Sequence, residues 1–184
     1  MLIPALLFFC SSARGADLLE IEVQREEGVY NMSSVSWLDV PPKDLYDILA
    51  NHDLFTKFTS AVVESRNVEP DDEGRPQFFS RFEGCVVLYC KSFVRNGYLE
   101  LTPFKELVAI VHPETSDFKR SREQWTLEPE KGGTKMTYLF EMEPDFWVPP
   151  VIGPFYIKRA LKRGGEKAVD RIEALAKKME QEAP

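Results

Sequence analysis

Apolar and polar positions alternate along much of the chain, and this period of two is typical of β-strands with one buried face. In the segment TKMTYLFEME the large side chains share one face: Met136, Tyr138, Phe140 and Met142. The other face is polar apart from Leu139. An antiparallel sheet that is covered on one side only produces this pattern. We therefore expect such a sheet, with its other face in solvent.

Further segments with strand character are separated by turn signals such as DDEG and EKGG. The first strand pattern is split in two, LLEIEV and VYNMSSVSWLDV, by a polar turn over residues 25–28. Six strands are expected after the helical region that follows: SAVVESRNV, RPQFFSRFEG, CVVLYCKSFVRNGYLEL, ELVAIVH, FKRSREQWTLEP and TKMTYLFEME.

That helical region is PPKDLYDILANHDLFTKF. A proline suits the first turn of a helix, and Leu45, Ile48 and Leu49 then form one apolar stripe. A break at residues 51–53 precedes a second short helix that carries Phe55 and Phe58.

A long C-terminal helix is predicted from about Pro154 to Gln181. Because one helix cannot fill a broad concave sheet, space for a ligand is expected beneath it. Glycine costs about 1 kcal/mol relative to alanine inside a helix, so Gly164 and Gly165 indicate close backbone approach, room for a ligand, or a tolerated kink. The apolar face of the helix is Leu161, Gly165, Ala168, Val169, Ile172, Leu175, Ala176 and Met179.

The N-terminal run MLIPALLFFC is too short to span a bilayer and is followed by small residues. Ala13 and Gly15 fit the −3 and −1 positions of a cleavage site after Gly15, although no basic residue precedes the run. Residues 1–15 are therefore predicted to be a signal peptide, and an exported, periplasmic location is expected. A disordered or membrane-tethering tail is the alternative.

The remaining composition excludes several classes of function. The 184 residues fit one domain, and the net charge of −7 argues against a nucleic-acid partner. His52 and His112 are expected in solvated loops, and with two cysteines they make no metal-ligand cluster. Cys85 and Cys90, taken as one strand, would point to opposite faces, which favours two buried thiols over a disulfide.

Three stretches together resemble the helix-grip fold of the START-like (SRPBCC) superfamily, which includes polyketide cyclase/dehydrase and lipid-transport proteins and ubiquinone-binding START-like proteins. They are DVPPKDLYDILANHDLFTKFTSAVVES, SDFKRSREQWTLEPEKGGTKMTYLFEMEP and FWVPPVIGPF. The resemblance implies an α+β domain over residues 18–182. A curved antiparallel sheet would wrap around the long C-terminal helix, with two short helices after the first strand.

The resemblance also implies an apolar cavity between the sheet and the C-terminal helix, and no cofactor. Its ligand would be a hydrophobic small molecule, such as a lipid, sterol, quinone or polyketide-like compound, which the protein binds and transports. A cyclase or aromatase acting in the same cavity is the alternative, and a domain filled by its own side chains is a third possibility. No catalytic residue can be transferred.

The cavity lining follows from the predicted faces, although the same residues would also make an ordinary core. The expected lining residues are Phe55, Phe58, Phe78, Phe82, Leu88, Cys90, Trp125, Tyr138, Phe140, Met142, Leu161 and Gly165.

Two pairs of charged residues share strand faces: Arg81 with Glu83, and Arg120 with Arg122. If a pair pointed inward, it could orient a carbonyl or polarise an enol. The solvated face is favoured for them, because burying an unpaired arginine is costly.

Aromatic residues mark the junction between the last strand and the C-terminal helix. Phe146, Trp147, Val148 and Phe155 are predicted to form a portal that gates the cavity or enters a membrane interface. The following helix segment has a net charge of +4, which favours peripheral contact with an anionic membrane. A hydrophobic staple beside a solvated helix face is the alternative. The charges are those of Lys158, Arg159, Lys162, Arg163, Lys167 and Arg171, against Glu166 and Asp170.

Overall fold

The computed structural model describes residues 16–86 and 89–182. Its strands are β1 (Asp17–Glu26), β2 (Val29–Leu38), β3 (Val62–Val68), β4 (Gln77–Val86), β5 (Tyr89–Thr102), β6 (Glu106–Val111), β7 (Phe118–Glu130) and β8 (Gly133–Pro144). Its helices are α1 (Pro42–Leu49), α2 (Phe55–Phe58) and α3 (Gly153–Glu182), with 3₁₀ turns at His52–Leu54 and Pro113–Thr115. The predicted α+β helix-grip architecture is confirmed. The predicted signal peptide lies outside the described residues and stays a prediction.

The eight strands form one antiparallel sheet in the order β1-β2-β8-β7-β6-β5-β4-β3. Most neighbouring strands follow each other along the chain, but β2 pairs with β8, with Tyr30 opposite Met142. The first hairpin is therefore joined to the last strand, and β1 and β3 form the two edges.

Helix α1 begins where the sequence predicts it. Pro41 is extended and Pro42 occupies the first turn, where a helix does not need the backbone N–H. Leu45, Ile48 and Leu49 are fully buried. The predicted stripe thus packs into the core.

Helix α3 lies over the β1–β2 end of the sheet and also packs on α1 and α2. An added Cβ at Gly165 would lie 2.9 Å from Ile21 Cδ1, whereas one at Gly164 would meet nothing within 4 Å. Gly165 therefore allows close approach of α3 to β1. Met179 was expected on the buried face, but it is exposed near the end of the helix.

The apolar interior has two clusters. The larger one includes Leu45, Phe78, Trp125 and Ile172, and the smaller one is Tyr30, Met32, Phe118, Phe140 and Met142. Tyr138 packs against both clusters. The candidate site lies between them.

The prediction for the cysteines was wrong. Strand β4 ends at Val86 and β5 begins at Tyr89, so CVVLYC belongs to two strands, and Cys85 is directly opposite Cys90 in the backbone register. Cys90 is disulfide-bonded. The run contains no Gly, Pro, Asn or Asp that would signal a break between two strands in the sequence.

Candidate ligand-binding site

A buried ion pair lies in the middle of the concave face of the sheet. Arg95 on β5 and Glu123 on β7 are only 4% and 7% exposed, and Arg95 Nη1 donates to Glu123 Oε1 at 2.8 Å. Removing such ions from water costs several kcal/mol each, which their mutual attraction does not always recover. The pair therefore requires an explanation beyond packing.

The Arg95 guanidinium does not use all of its hydrogen-bond donors. Within residues 16–86 and 89–182, its Nε and Nη2 atoms have no hydrogen-bond partner. The centroids of the Phe78, Phe82 and Phe140 rings lie 5.8, 5.6 and 5.7 Å from its Cζ. A buried donor without a partner costs about 1–3 kcal/mol. These two nitrogens are therefore where an acceptor oxygen of a ligand would be most stabilising.

Tyr138 on β8 joins the same cluster. Burial is the main cause that raises the pKa of its hydroxyl well above the ordinary value, and the negative charge of Glu123 and a hydrogen bond to it act in the same direction. The positive charge of Arg95 opposes this shift. Tyr138 thus remains a protonated hydroxyl near neutral pH and can donate a hydrogen bond.

Small hydroxyl side chains extend the polar zone across the sheet. Ser80 is opposite Arg95 in the β4–β5 register, and Ser34 is opposite Tyr138 in the β2–β8 register. Both serines are buried. Buried hydroxyls that lack a partner among the described residues are those of Tyr30, Ser36 and Ser121.

His52 is part of this interior, although the sequence analysis placed it in a solvated loop. It is 1% exposed and stacks between Phe55 and Phe78, at centroid distances of 4.1 and 4.3 Å. Burial, with a smaller contribution from the charge of Arg95, lowers the pKa of His52 from 6.5 to about 3. The imidazole is therefore neutral at physiological pH.

The lowered pKa of His52 makes stability depend on pH. Between about pH 3 and pH 6.5 the unfolded chain binds a proton that folded His52 does not, so the free energy of unfolding falls as pH falls. We expect His52→Phe to remove roughly 1 kcal/mol of this loss for each pH unit below 6. Urea unfolding of both proteins at pH 7, 5.5 and 4.5 measures the difference, and parallel pH profiles would contradict it.

The expected lining residues divide into groups. Phe78, Phe82, Phe140 and Tyr138 surround the ion pair. Phe55, Phe58 and Trp125 are buried in the larger cluster, and Met142 is buried in the smaller one, where Leu161 is half-buried. Gly165 faces Ile21 and Met32, and Cys90 is exposed. Leu88 lies outside the described residues.

The four charged candidates lie on the solvent-facing side of the sheet. Arg81 is paired with Glu64, with its Nη2 2.9 Å from Oε2, and more loosely with Glu83. Arg120 lies 3.3–3.4 Å from Glu141 and Glu143, and Arg122 donates to Gln124. None of these contacts reaches the interior cluster.

Sequence reasoning missed Arg95 and Glu123, although a signal for both was present. In the alternation of β5, Arg95 is in phase with Phe93 and Leu99, and in β7 Glu123 is in phase with Trp125 and Leu127. A charged residue in phase with apolar residues of its strand marks a buried polar site.

The predicted portal has an inner and an outer part. Phe146 stacks on Phe93 at 4.2 Å and meets Phe118 edge-on at 6.0 Å. Val148 is half-buried beside Gly153. Trp147 and Phe155 are exposed. The chain thus passes from the interior to the surface within one residue, at Phe146 and Trp147.

A family model described as polyketide cyclase / dehydrase and lipid transport matches residues 32–177. The chain belongs to this family. The matched region includes β3 to β8 and most of β2 but not β1, and it contains Arg95, Glu123 and Tyr138. No match was found among curated proteins.

Solved structures share the fold of this chain at low sequence identity. A START superfamily protein from Mycobacterium smegmatis has a TM-score of 0.63 at 14% identity, covering 81% of this chain and 98% of its own. A STAR-related lipid transfer protein from Xanthomonas axonopodis has a TM-score of 0.61 at 15% identity, covering 86% and 99%. An aromatase/cyclase from Streptomyces sp. R1128 has a TM-score of 0.57 at 10% identity, covering 81% and 94%.

At these identities the likeness shows the fold alone. The predicted START-like membership is confirmed. Hydrophobic small molecules are the ligand class that the family supports, and its relatives include both lipid-transfer proteins and aromatase/cyclases.

Proposed function

We propose that the protein binds an amphipathic small molecule against the concave face of the sheet, beneath α3. The ligand has a hydrophobic body and an oxygen-bearing polar group, as lipids, sterols, quinones and polyketide-like compounds have. The observation that carries this proposal is the buried Arg95 guanidinium, which lies among phenylalanine rings and has two nitrogens without a hydrogen-bond partner in the described part of the chain.

Two physical contributions would stabilise the complex. Each 100 Å² of apolar ligand surface removed from water contributes about 2.5 kcal/mol. A hydrogen bond from a charged guanidinium to a ligand oxygen contributes about 1.5–3 kcal/mol, and two such bonds also fix the orientation of the ligand. Burial thus supplies most of the affinity, and Arg95 selects the polar group.

The proposed binding mode includes movement of side chains as the ligand enters. Two grooves of about 340 and 600 Å³ are present at the surface, and neither is lined by a residue of α3. The inward-facing Phe82, Phe93, Tyr138 and Leu161 are only half-buried. We infer that these four side chains change conformation when the ligand binds, and that the N-terminal half of α3 moves with them.

Native mass spectrometry of the protein purified from its own host, followed by solvent extraction and lipid analysis, tests the proposal. We expect one co-purifying amphipathic molecule per chain. A protein that arrives empty and also takes up neither a fluorescent fatty acid nor a fluorescent sterol would be a domain filled by its own side chains, and the proposal would fail.

An aromatase/cyclase activity is the second candidate function. The observation in its favour is the protonated Tyr138 hydroxyl beside Glu123 and Arg95, which could donate a proton to an enolate while the guanidinium stabilises its charge. Incubation with a linear poly-β-ketone thioester separates the two functions. An enzyme would form a cyclised product that Tyr138→Phe abolishes, whereas a carrier would bind the compound and return it unchanged.

The proposal also includes location and use. We propose that the protein is exported, and that it carries its ligand between membranes across the periplasm, in peripheral contact with an anionic membrane. The disulfide bond at Cys90 supports an oxidising compartment, because such bonds are rare in the cytosol. Among the described residues, no helix is long and apolar enough to cross a bilayer.

A further inference from the structure

Four large apolar side chains stand in solvent where β8 passes into α3. Trp147, Val151 and Phe155 are 77%, 85% and 63% exposed, and Ile152 is exposed as well. We call these four residues the portal patch. Exposed apolar residues that occur singly need no explanation, but four within nine positions mark an interaction site.

Basic residues continue the portal patch along α3. Phe155, Lys158, Arg159 and Lys162 are spaced i, i+3, i+4 and i+7, which places them on one face of the helix. We call Lys158, Arg159 and Lys162 the basic face. Over residues 16–86 and 89–182, no ion pair within 4.0 Å involves any basic residue between 158 and 171. Their charges remain available to an external partner.

The same segment is held in place from its inner side. Ile157 and Leu161 on α3, and Phe146 before it, pack against the smaller apolar cluster. These inward-facing neighbours anchor the backbone that carries the portal patch and the basic face. The side chains of the portal patch and the basic face contribute little to that core.

We propose that the portal patch and the basic face dock the protein on an anionic bilayer. Trp and other large apolar side chains are favoured at a membrane interface, and neighbouring lysines and arginines attract anionic headgroups. The whole chain has a net charge of −7 although this segment is positive, so the rest of the protein is negative on balance and is repelled by such a surface. The protein therefore docks in one orientation, in which the junction of β8 and α3, with Phe146 at its inner side, faces the lipid.

This inference names the surface for the membrane contact included in the proposed function. A bilayer is favoured over a second copy of the chain by charge. In a symmetric dimer each portal patch would meet the same surface of its partner, and the two basic faces would repel each other. An anionic bilayer complements both parts of the surface at once.

Co-sedimentation of the full chain with vesicles tests the inference. We expect binding to vesicles of phosphatidylcholine and phosphatidylglycerol at 7:3, with weaker binding in 0.5 M NaCl and to phosphatidylcholine alone. Trp147→Ser with Phe155→Ser should weaken partitioning tenfold or more. Every variant carries the same N-terminus, so any contribution of residues 1–15 cancels in the comparison.

Charge reversal provides a matched control. Arg159→Glu with Lys162→Glu should weaken binding to the anionic vesicles about tenfold. Lys57→Glu with Lys105→Glu makes the same change in charge at exposed positions elsewhere on the surface, and it should bind much as the wild type does. Equal losses from the two reversals, or undiminished binding by the Trp147 and Phe155 variant, would overturn the inference.

Two further measurements identify other outcomes. A wild type that ignores vesicles and sediments as a dimer, which the Trp147 and Phe155 variant converts to a monomer, would assign the portal patch to a second copy. Native mass spectrometry of the same samples reports the interior ligand independently. A retained ligand without vesicle binding would defeat only the docking, and vesicle binding by a chain that accepts no ligand would defeat only the proposed function.

Discussion

Arg95→Met is expected to lower the free energy of unfolding by about 3–5 kcal/mol, because it leaves the Glu123 carboxylate buried and unpaired. The two side chains are almost fully buried and 2.8 Å apart. Glu123 would keep its hydrogen bond to Tyr138 but lose its countercharge. Urea unfolding followed by circular dichroism measures the change.

A double variant and a surface control separate this effect from general damage. Arg95→Met with Glu123→Leu should recover most of the loss, because a well-packed apolar pair often replaces a buried ion pair at no cost. Arg81→Met breaks the exposed pair with Glu64 on the neighbouring strand, and such pairs contribute about 0–1 kcal/mol. The account fails if the double variant is no more stable than the single one.

The same double variant should lose affinity for oxygen-bearing ligands while remaining folded. Each hydrogen bond from the guanidinium is expected to contribute about tenfold to 100-fold in affinity. We expect at least this loss for a pyrene-labelled fatty acid, and a change of less than about threefold for an alkylpyrene that has no oxygen, because only its apolar burial matters. Fluorescence titration of both probes against both proteins gives the comparison.

The two probes also locate the polar group of the ligand. A loss confined to the fatty acid places its carboxylate at Arg95. Equal losses for both probes would mean that the substitutions reshape the apolar surface, and that the polar group binds elsewhere. Arg120→Met, on the outer face of the sheet, is the control and should leave both affinities unchanged.

Much of this architecture could be predicted from the sequence because each strand shows its own alternation. Strand β8 is an example: Met136, Phe140 and Met142 are buried, and Leu139 is exposed, as its pattern indicates. The long helix could be predicted from its apolar stripe in the same way. These signals are local, since each depends only on residues a few positions apart.

The contact at the centre of the candidate site could not be predicted in that way, although the alternation marks Arg95 and Glu123 individually as buried. Arg95 and Glu123 lie on strands that are separated in the sheet by β6, so their contact depends on two strand registers that no local pattern encodes. His52 is buried because Asn67 on β3 accepts a hydrogen bond from its backbone N–H at 3.0 Å and holds the segment against the sheet. Both features depend on residues distant along the chain.

The pairing of β2 with β8 has a consequence for how the protein is made. These strands come from opposite ends of the domain, and contacts between distant segments form slowly during folding. Until β8 has left the ribosome, the edges of β2 and β7 that face β8 in the finished sheet have no partner, and open edges readily pair with other chains. A nascent or truncated chain that lacks β8 is therefore the form of this protein most exposed to aggregation, and it is the form that chaperones would need to protect.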